Sequence, residues 1–402
     1  MQKLKQIIKR NEAISKFAEK LIDSCISIYD NTVNRFFWNI FSFRPINNSK
    51  IIISSYYGRG FSDNAKYIVE ELLRRNNKYD IVWIVNDLGE QKNFPDGVRA
   101  VKYKSIKSIY EYATSKVWID NSRKQCYTKK RSQQLYIQTW HGGIALKKIE
   151  NDAKEALRKS YIKFAQKDSK NADLFISNSR FNTEMYRRAF WYDGDILECG
   201  VPRNDLFFNN VDKTIEKVKK SFDIEDKKII LYAPTFRKEN NLEVYKFDYE
   251  RCINKFEEKF GSEFVMLIRL HPNVFHRSTE LNFDSKKVLN ASFYPDMQEL
   301  LVATDILITD YSSSMFDFIL TQKPCFIYAS DIKDYRDDRG FYFDLEKLPF
   351  SISASTNDML KNIEDFNYQK YKKHIDEFLA EQGCVDEGNA SKKVADWIES
   401  NA

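Results

Sequence analysis

Four short stretches carry side chains suited to holding and moving an anionic group. They are His141 with Gly142 and Gly143, Thr235 with Arg237, Arg269 with His271, Pro272 and Asn273, and Asp310 followed by Ser312, Ser313 and Ser314. Each follows an apolar run that reads as a β-strand: "LYIQTW", "IILYAP", "FVMLIRL" and "ILITD". Two of the four histidines of the chain fall at these strand ends. Serine hydroxyls and the free N–H groups of a following helix suit phosphate oxygens. Arginine and histidine add charge-assisted donors, and paired glycines let a backbone approach a ligand. Each stretch also has an ordinary alternative: a capping histidine, a Gly-Gly turn, a serine N-cap, or a surface ion pair for Arg237. Their shared position at strand ends favours one common ligand, a phosphate or diphosphate. No Walker A sequence is present, and "YYGRGFSDN" offers only G-x-G, a weak dinucleotide signal.

The elements that would position these groups alternate between strand and helix. "KIIISSYY", "YDIVWIV", "KVWID", "LYIQTW", "ADLFISNS" and "DILECG" read as strands, with helical patterns such as "SDNAKYIVEELLRRN", "SIKSIYEYATSK" and "SRFNTEMYRRAF" among them. After a crossing at "GVPRNDLFF" the alternation restarts with "KKIILYAPTF", "EFVMLIRL", "DILITD" and "PCFIYA". Such alternation predicts an α/β chain with parallel sheets covered on both faces. Two successive units predict two Rossmann-like domains facing a cleft, with ligands beyond the carboxyl ends of the strands. The expected boundaries are 49–205 and 206–402, preceded by a distinct segment at 1–48.

That first segment is basic and amphipathic. Ile14, Phe17, Leu21, Cys25 and Ile28 recur at helical spacing, and "RFFWNIFSF" adds an aromatic cluster. Its basic residues outnumber its acidic ones, whereas the rest of the chain is nearly balanced around an overall +6. The pattern suits either an anionic membrane surface or packing on the body or another subunit. A dedicated nucleic-acid binder is disfavoured, because the basic excess is small and confined to one end. No apolar stretch reaches the roughly 18 residues of a membrane span, and no signal peptide is evident. The six cysteines lie far apart without C-x-x-C spacing, so reduced thiols are expected rather than zinc or disulfides.

The order of "TWHGG", "SNSRFNTEMY", "GVPRND", "ILYAPTFR", "IRLHPN", "DILITDYSSSMFDF" and "KPCFIY…RGFYFD" resembles the bacterial CDP-glycerol glycerophosphotransferases, the teichoic-acid primases and polymerases and related capsule polymerases. The resemblance runs from about Tyr56 to the C-terminus, where "DEGNASKKVADWI" also fits. It implies a GT-B fold and peripheral attachment to the inner face of the membrane. It also implies a CDP-glycerol donor and a lipid-linked glycan or polyol phosphate acceptor. The family's first motif usually reads W-H-G-T; here Gly143 stands in the threonine place, so the histidine is kept and one hydroxyl is lost.

On that resemblance an acceptor hydroxyl attacks the polyol-bearing phosphorus and CMP leaves. His141, on the acceptor side, is the expected base. His271, the second catalytic candidate, is expected with the Ser312–Ser314 helix start to hold the diphosphate and stabilise charge on the leaving CMP, and the donor is expected to lie on Gly142, Gly143, Thr235, Arg237, Arg269, Pro272, Asp310 and Ser312–Ser314. No cofactor and no essential metal are expected. CDP-ribitol as donor, a nucleotide-sugar glycosyltransferase such as a CMP-sialic acid enzyme, and a membrane-associated scaffold that kept the fold are the rival readings. The acceptor, the number of units added and homo-oligomerisation are left open.

Overall fold

The computed structural model describes residues 30–75, 78–124, 127–224, 226–237, 242–271, 274, 286–332 and 340–402. In chain order the elements begin α1 (Arg35–Phe41), β1 (Asn47–Ser54), α2 (Asp63–Arg74), β2 (Asp80–Val85), β3 (Val98–Lys102), α3 (Ile106–Thr114), β4 (Ser115–Asp120) and β5 (Leu135–Gln138). They continue α4 (Lys159–Ser169), β6 (Leu174–Ser177), α5 (Arg180–Ala189), β7 (Asp195–Glu198), α6 (Val211–Phe222), β8 (Lys228–Ala233), α7 (Tyr249–Phe260), β9 (Phe264–Ile268) and β10 (Val288–Asn290). The last are α8 (Met297–Ala303), β11 (Ile306–Thr309), α9 (Ser314–Phe318), β12 (Cys325–Tyr328), β13 (Ser351–Ser353), α10 (Thr356–Glu364), α11 (Tyr368–Gln382) and α12 (Ala390–Asn401).

Two compact units result. One holds the described residues of Met1–Gly60 and Asn77–Ile137 with Ala402; the other holds those of Phe61–Asn76 and Gln138–Asn401. In the first, the strand order is β3-β2-β1-β4-β5. β1 lies parallel to β2 and β4, and β2 parallel to β3. Ile51, Ile52 and Ile53 are all buried, as expected of a parallel strand covered on both faces.

Within this unit α1 divides the aromatic cluster "RFFWNIFSF" into two groups. Trp38 is buried, with its ring 5.9 Å from Trp118 of β4, and Phe41 meets Tyr110 of α3 edge-on at 5.4 Å. Phe36, Ile40 and Phe43, at helical spacing, stay exposed, Phe36 by 60% and Phe43 by 90%. Part of the cluster is therefore core. The amphipathic pattern from Ile14 to Ile28 lies outside the described residues.

The second unit pairs β6 with β7 in parallel and contains a six-stranded sheet ordered β10-β9-β8-β11-β12-β13. Its neighbouring strands all pair in parallel. Successive residues of β8 serve opposite faces: Ile229 and Leu231 join one core, Ile230 and Tyr232 the other. That is the two-residue period of a strand with helices on both sides. α7 shows how sequence sets the limits of a covering helix. Asp248 accepts a bond from the Arg251 N–H at 3.0 Å, and Gly261 ends the helix at φ 63°.

The strand order reverses direction at β8, whose neighbours are β9 and β11. Chains leaving two such strands diverge to opposite sides, opening a crevice at their carboxyl ends. Thr235 and Asp310 lie just past those ends. Among the described residues no helix is long and apolar enough to cross a membrane.

Candidate active site

The crevice beyond β8 and β11 is closed at its base by hydrogen bonds between the two strand ends. Thr309 Oγ1 donates to the Ala233 carbonyl at 2.7 Å, and the Thr235 N–H donates to Asp310 Oδ1 at 2.8 Å. Asp310 is buried and also accepts from the Tyr311 N–H at 2.6 Å and from Arg237 Nη2 at 2.8 Å. Arg237 then reaches Asp331 through Nε at 2.6 Å, and its Nη1 donates to the Thr235 carbonyl and hydroxyl at 2.9 and 2.8 Å. Arg237 and Asp310 thus form a buried strut that shapes the corner, with Thr235 as its third point.

Above the strut the three serines are half-buried. Ser312 and Ser314 bond each other through their hydroxyls at 2.8 Å, and the Ser314 N–H points at Ser312 Oγ at 3.3 Å. Ser313 occupies the N-cap position of α9 without making a side-chain cap bond. α9 is five residues long and passes into a 3-10 turn at Ile319–Thr321. Its axial dipole is therefore short, and hydroxyls and individual N–H groups are the main donors offered. Arg269 Nη1 donates to the Tyr294 carbonyl at 2.5 Å, while His271 is exposed with its ring 5.9 Å from Phe236. Pro272 lies outside the described residues.

His141 sits on a loop gripped at both ends. On one side Trp140 adopts φ 49°, donates its N–H to Gln138 Oε1 at 2.8 Å, and accepts from Asn64 Nδ2 at 3.2 Å. The His141 ring stacks on the Trp140 indole at 4.3 Å, which in turn meets Phe190 edge-on at 4.7 Å. On the other side the Gly143 carbonyl accepts from Asn182 Nδ2 at 2.7 Å, and Ile144 and Leu146 enter the core built on β8, β11 and α9. Lys148 N–H to the Gly340 carbonyl, and Tyr342 N–H to that of Leu146, lace the following segment to the chain after β12. Between the grips, Gly142 has open space where a Cβ would be. A Cβ on Gly143 would lie 2.6 Å from Asp317 Oδ1 and 3.2 Å from Asn178 Nδ2. The two glycines differ: Gly142 leaves room beside His141, and Gly143 is a point of close packing within the protein.

Behind Gly143 lies a buried polar hub with no role assigned from sequence. Arg203 is sandwiched between Asp317, at 2.7 Å from Nη2, and Asp63, at 3.1 Å from Nη1. Asn64 receives the Arg203 N–H at 3.2 Å, so one side chain ties the histidine loop to "GVPRND". Asn178 donates to Asp386 at 2.7 Å, and Asp386 also accepts from the Val201 N–H at 2.8 Å. Burial pushes the Asp386 carboxyl up to about 6, against the pull of those two donors. These residues come from the quoted stretches "SDN", "SNSRFN", "GVPRND", "SSSMFDF" and "DEGNAS". The signal was there as polar residues inside apolar elements, but nothing in the sequence shows which of them pair.

The profile of the family described as "CDP-Glycerol:Poly(glycerophosphate) glycerophosphotransferase" matches residues 36–400. The teichoic acid poly(glycerol phosphate) polymerase of Bacillus subtilis (strain 168) is 31% identical over 98% of this chain and 54% of its own length. That of Staphylococcus epidermidis is 32% identical over 87% of this chain and 50% of its own. The chain therefore spans about half the length of these two relatives. The corresponding protein of Bacillus spizizenii is 33% identical over 90% of this chain and 94% of its own. The wall teichoic acid polymerase TagF, solved as a histidine-to-alanine variant, superposes with a TM-score of 0.81 at 29% identity, covering 96% of this chain and 98% of that one. With that profile spanning His141, the serine corner and the hub alike, the chain belongs to the CDP-glycerol:poly(glycerophosphate) glycerophosphotransferase family.

Proposed function

We propose that this chain is a GT-B enzyme that transfers glycerol phosphate from CDP-glycerol to a hydroxyl of a membrane-linked teichoic-acid or capsule-type acceptor. The observation that carries the reading is the grouping of Thr235, Asp310 and Ser312–Ser314 at the topological switch point of the second sheet, in a chain of this family. In the reaction a bond forms between the acceptor oxygen and the glycerol-bearing phosphorus. The bond from that phosphorus to the bridging oxygen breaks, and CMP leaves with that oxygen. His141 takes the acceptor proton; the open space at Gly142 gives the hydroxyl room beside it. Ser313, with no cap bond of its own, Ser312, Ser314 and His271 supply donors to the diphosphate. Arg237 and Asp310 act through the shape of the corner, because their charges are already spent on each other and on Asp331. Positioning and charge stabilisation carry most of phosphoryl transfer.

The domain reading follows the same lines: 49–205 on the acceptor side, 206–402 on the donor side, and an N-terminal segment that meets the inner membrane surface. The exposed trio Phe36, Ile40 and Phe43 supports membrane contact. Because Trp38 is core, replacing Phe36 and Phe43 by serine is a cleaner test than deleting the segment. Sedimentation with anionic vesicles should fall for that variant; unchanged sedimentation would remove these two rings from the contact. The chemistry is tested with a panel of CDP-glycerol, CDP-ribitol and CMP-linked sugars, following CMP release and the product mass on a lipid-linked acceptor. CDP-glycerol should give the fastest release. A faster CMP-sugar would move the chain to the glycosyltransferase reading, and a faster CDP-ribitol would change the polyol.

A further inference from the structure

We infer that the loop at 55–60 is the acceptor-sugar subsite of the first unit, with Tyr57 as the ring it presents. The inference rests on the functional reading above and deepens it, naming the acceptor group that this unit meets. In the first sheet the strand order reverses at β1, whose neighbours are β2 and β4. A ligand crevice is therefore expected beyond the carboxyl ends of β1 and β4. The loop leaves β1 at that place and runs left-handed over three residues: Tyr56 at φ 44°, Tyr57 at 61° and Gly58 at 86°. Glycine adopts such angles freely, but two successive bulky residues do so only against a steric cost, of the kind that folds keep where function uses it.

The neighbouring strand ends hold the loop in that shape. Asn121, buried just past β4, accepts the Tyr56 N–H at 2.8 Å and donates to Ser55 Oγ at 3.2 Å. Asn86, just past β2, donates its side-chain amide to the Tyr57 carbonyl at 3.1 Å and its backbone N–H to the Gly58 carbonyl at 2.8 Å. Trp83 Nε1 reaches the Gly60 carbonyl at 3.1 Å. Yet the tyrosine so fixed is not spent on the core, because Tyr57 is 44% exposed. Its ring lies 6.4 Å from that of Tyr103, just past β3, and Lys104 Nζ lies 5.5 Å from the Tyr103 ring. Exposed Arg59, Asn86, Asp87 and Lys104 adjoin these residues, and a Cβ on Gly60 would lie 3.8 Å from Glu90 Oε2. The rim carries both signs of charge, which suits a neutral ligand rich in hydroxyls better than a row of phosphates. Aromatic faces pack on the C–H face of a sugar ring, and amide, guanidinium and carboxylate groups bond its hydroxyls. An open-chain polyol phosphate has no such flat face.

The test uses the full chain as Tyr57→Gly, Tyr57→Asn and Tyr57→Phe. Glycine and asparagine accept positive φ, so both variants should keep the wild-type melting temperature; a marked fall in both would make Tyr57 a structural residue and overturn the subsite. Binding of a panel of short-chain alkyl disaccharides and of an alkyl glycerol phosphate is measured by calorimetry, and KM is measured for those that serve as acceptors. Tyr57→Gly and Tyr57→Asn should weaken disaccharide binding and raise its KM roughly 3- to 10-fold, the loss of one aromatic contact. Tyr57→Phe keeps the ring and should stay within about twofold of wild type. Binding of the alkyl glycerol phosphate and KM for CDP-glycerol should not change. A wild type that binds no disaccharide of the panel, unchanged disaccharide binding without the ring, or equal weakening of the glycerol phosphate would overturn the inference. A wild-type protein that releases no CMP from CDP-glycerol would overturn the functional reading, and the calorimetry would still decide the subsite.

Discussion

The hub behind Gly143 and the serine corner beyond β11 are both rich in polar side chains, yet they differ in how those groups are used. In the hub nearly every donor has a protein acceptor: Arg203 lies between two carboxylates, and Asn64, Asn178 and Asn182 each bridge two segments. At the corner the strut of Arg237, Asp310 and Asp331 is equally closed. Above it Ser313 is left without a cap bond, and His271 is exposed. Such partners decide which groups a substrate can still engage. A buried ion pair that satisfies itself fixes geometry, whereas a half-exposed hydroxyl or imidazole has donors to offer. By that criterion the hub and strut are framework, and it is consistent with the proposed roles of Ser312–Ser314 at the donor.

The largest effect is expected at His141. His141→Ala should lower kcat by about 10²–10⁴-fold while circular dichroism and the melting curve stay unchanged. Near-wild-type turnover by a folded variant would remove it from the reaction. In the hub the loss should appear as stability. Arg203→Ala leaves Asp317 and Asp63 without their shared cation, and removing one partner of a buried pair costs about 3–5 kcal/mol. Chemical denaturation measures it; a loss below about 1 kcal/mol would mean that Arg203 is not the framework described.

Smaller effects should follow at the corner. His271→Ala and Ser313→Ala should raise KM for CDP-glycerol several-fold to about tenfold, the loss of one or two modest hydrogen bonds, with the acceptor KM little changed. Steady-state kinetics with each substrate varied in turn checks this, and a change confined to the acceptor would place the donor elsewhere. The smallest effect is the pH response of Asp386. Its folded-state carboxyl is raised to about 6 by burial. Its contribution to stability is therefore fully present below the ordinary aspartate range and is lost as pH rises through about 6. The melting temperature of Asp386→Asn, relative to wild type, should rise between pH 4 and pH 7. A constant difference would show that Asp386 titrates normally.

Much of this arrangement was legible in the sequence. The strand–helix rhythm located β1, β2, β4, β5, β6, β7, β8, β9, β11 and β12, because their apolar runs are continuous. β3 interrupts its apolar residues with Arg99 and Lys102, and β10 and β13 are only three residues long, so none of them shows a continuous apolar run. The strand-end positions of His141, Thr235, Arg269 and Asp310 were readable for the same reason. What could not be read was pairing at long range. Arg237 meets Asp331 across 94 residues, and Arg203 meets Asp317 across 114. Without those partners, a strut and a substrate arginine look alike. "RFFWNIFSF" shows the same limit, since helical spacing groups its rings but does not say that Trp38 packs on Trp118.

In the proposed reaction the labour is divided: His141 acts on the proton, and the serine corner with His271 holds the donor. Equilibrium binding of CDP-glycerol to His141→Ala and to His271→Ala, by calorimetry under identical conditions, tests it most directly. The expected result is wild-type affinity in the inactive His141→Ala and weakened affinity in His271→Ala. Loss of donor binding in His141→Ala with full binding in His271→Ala would contradict it.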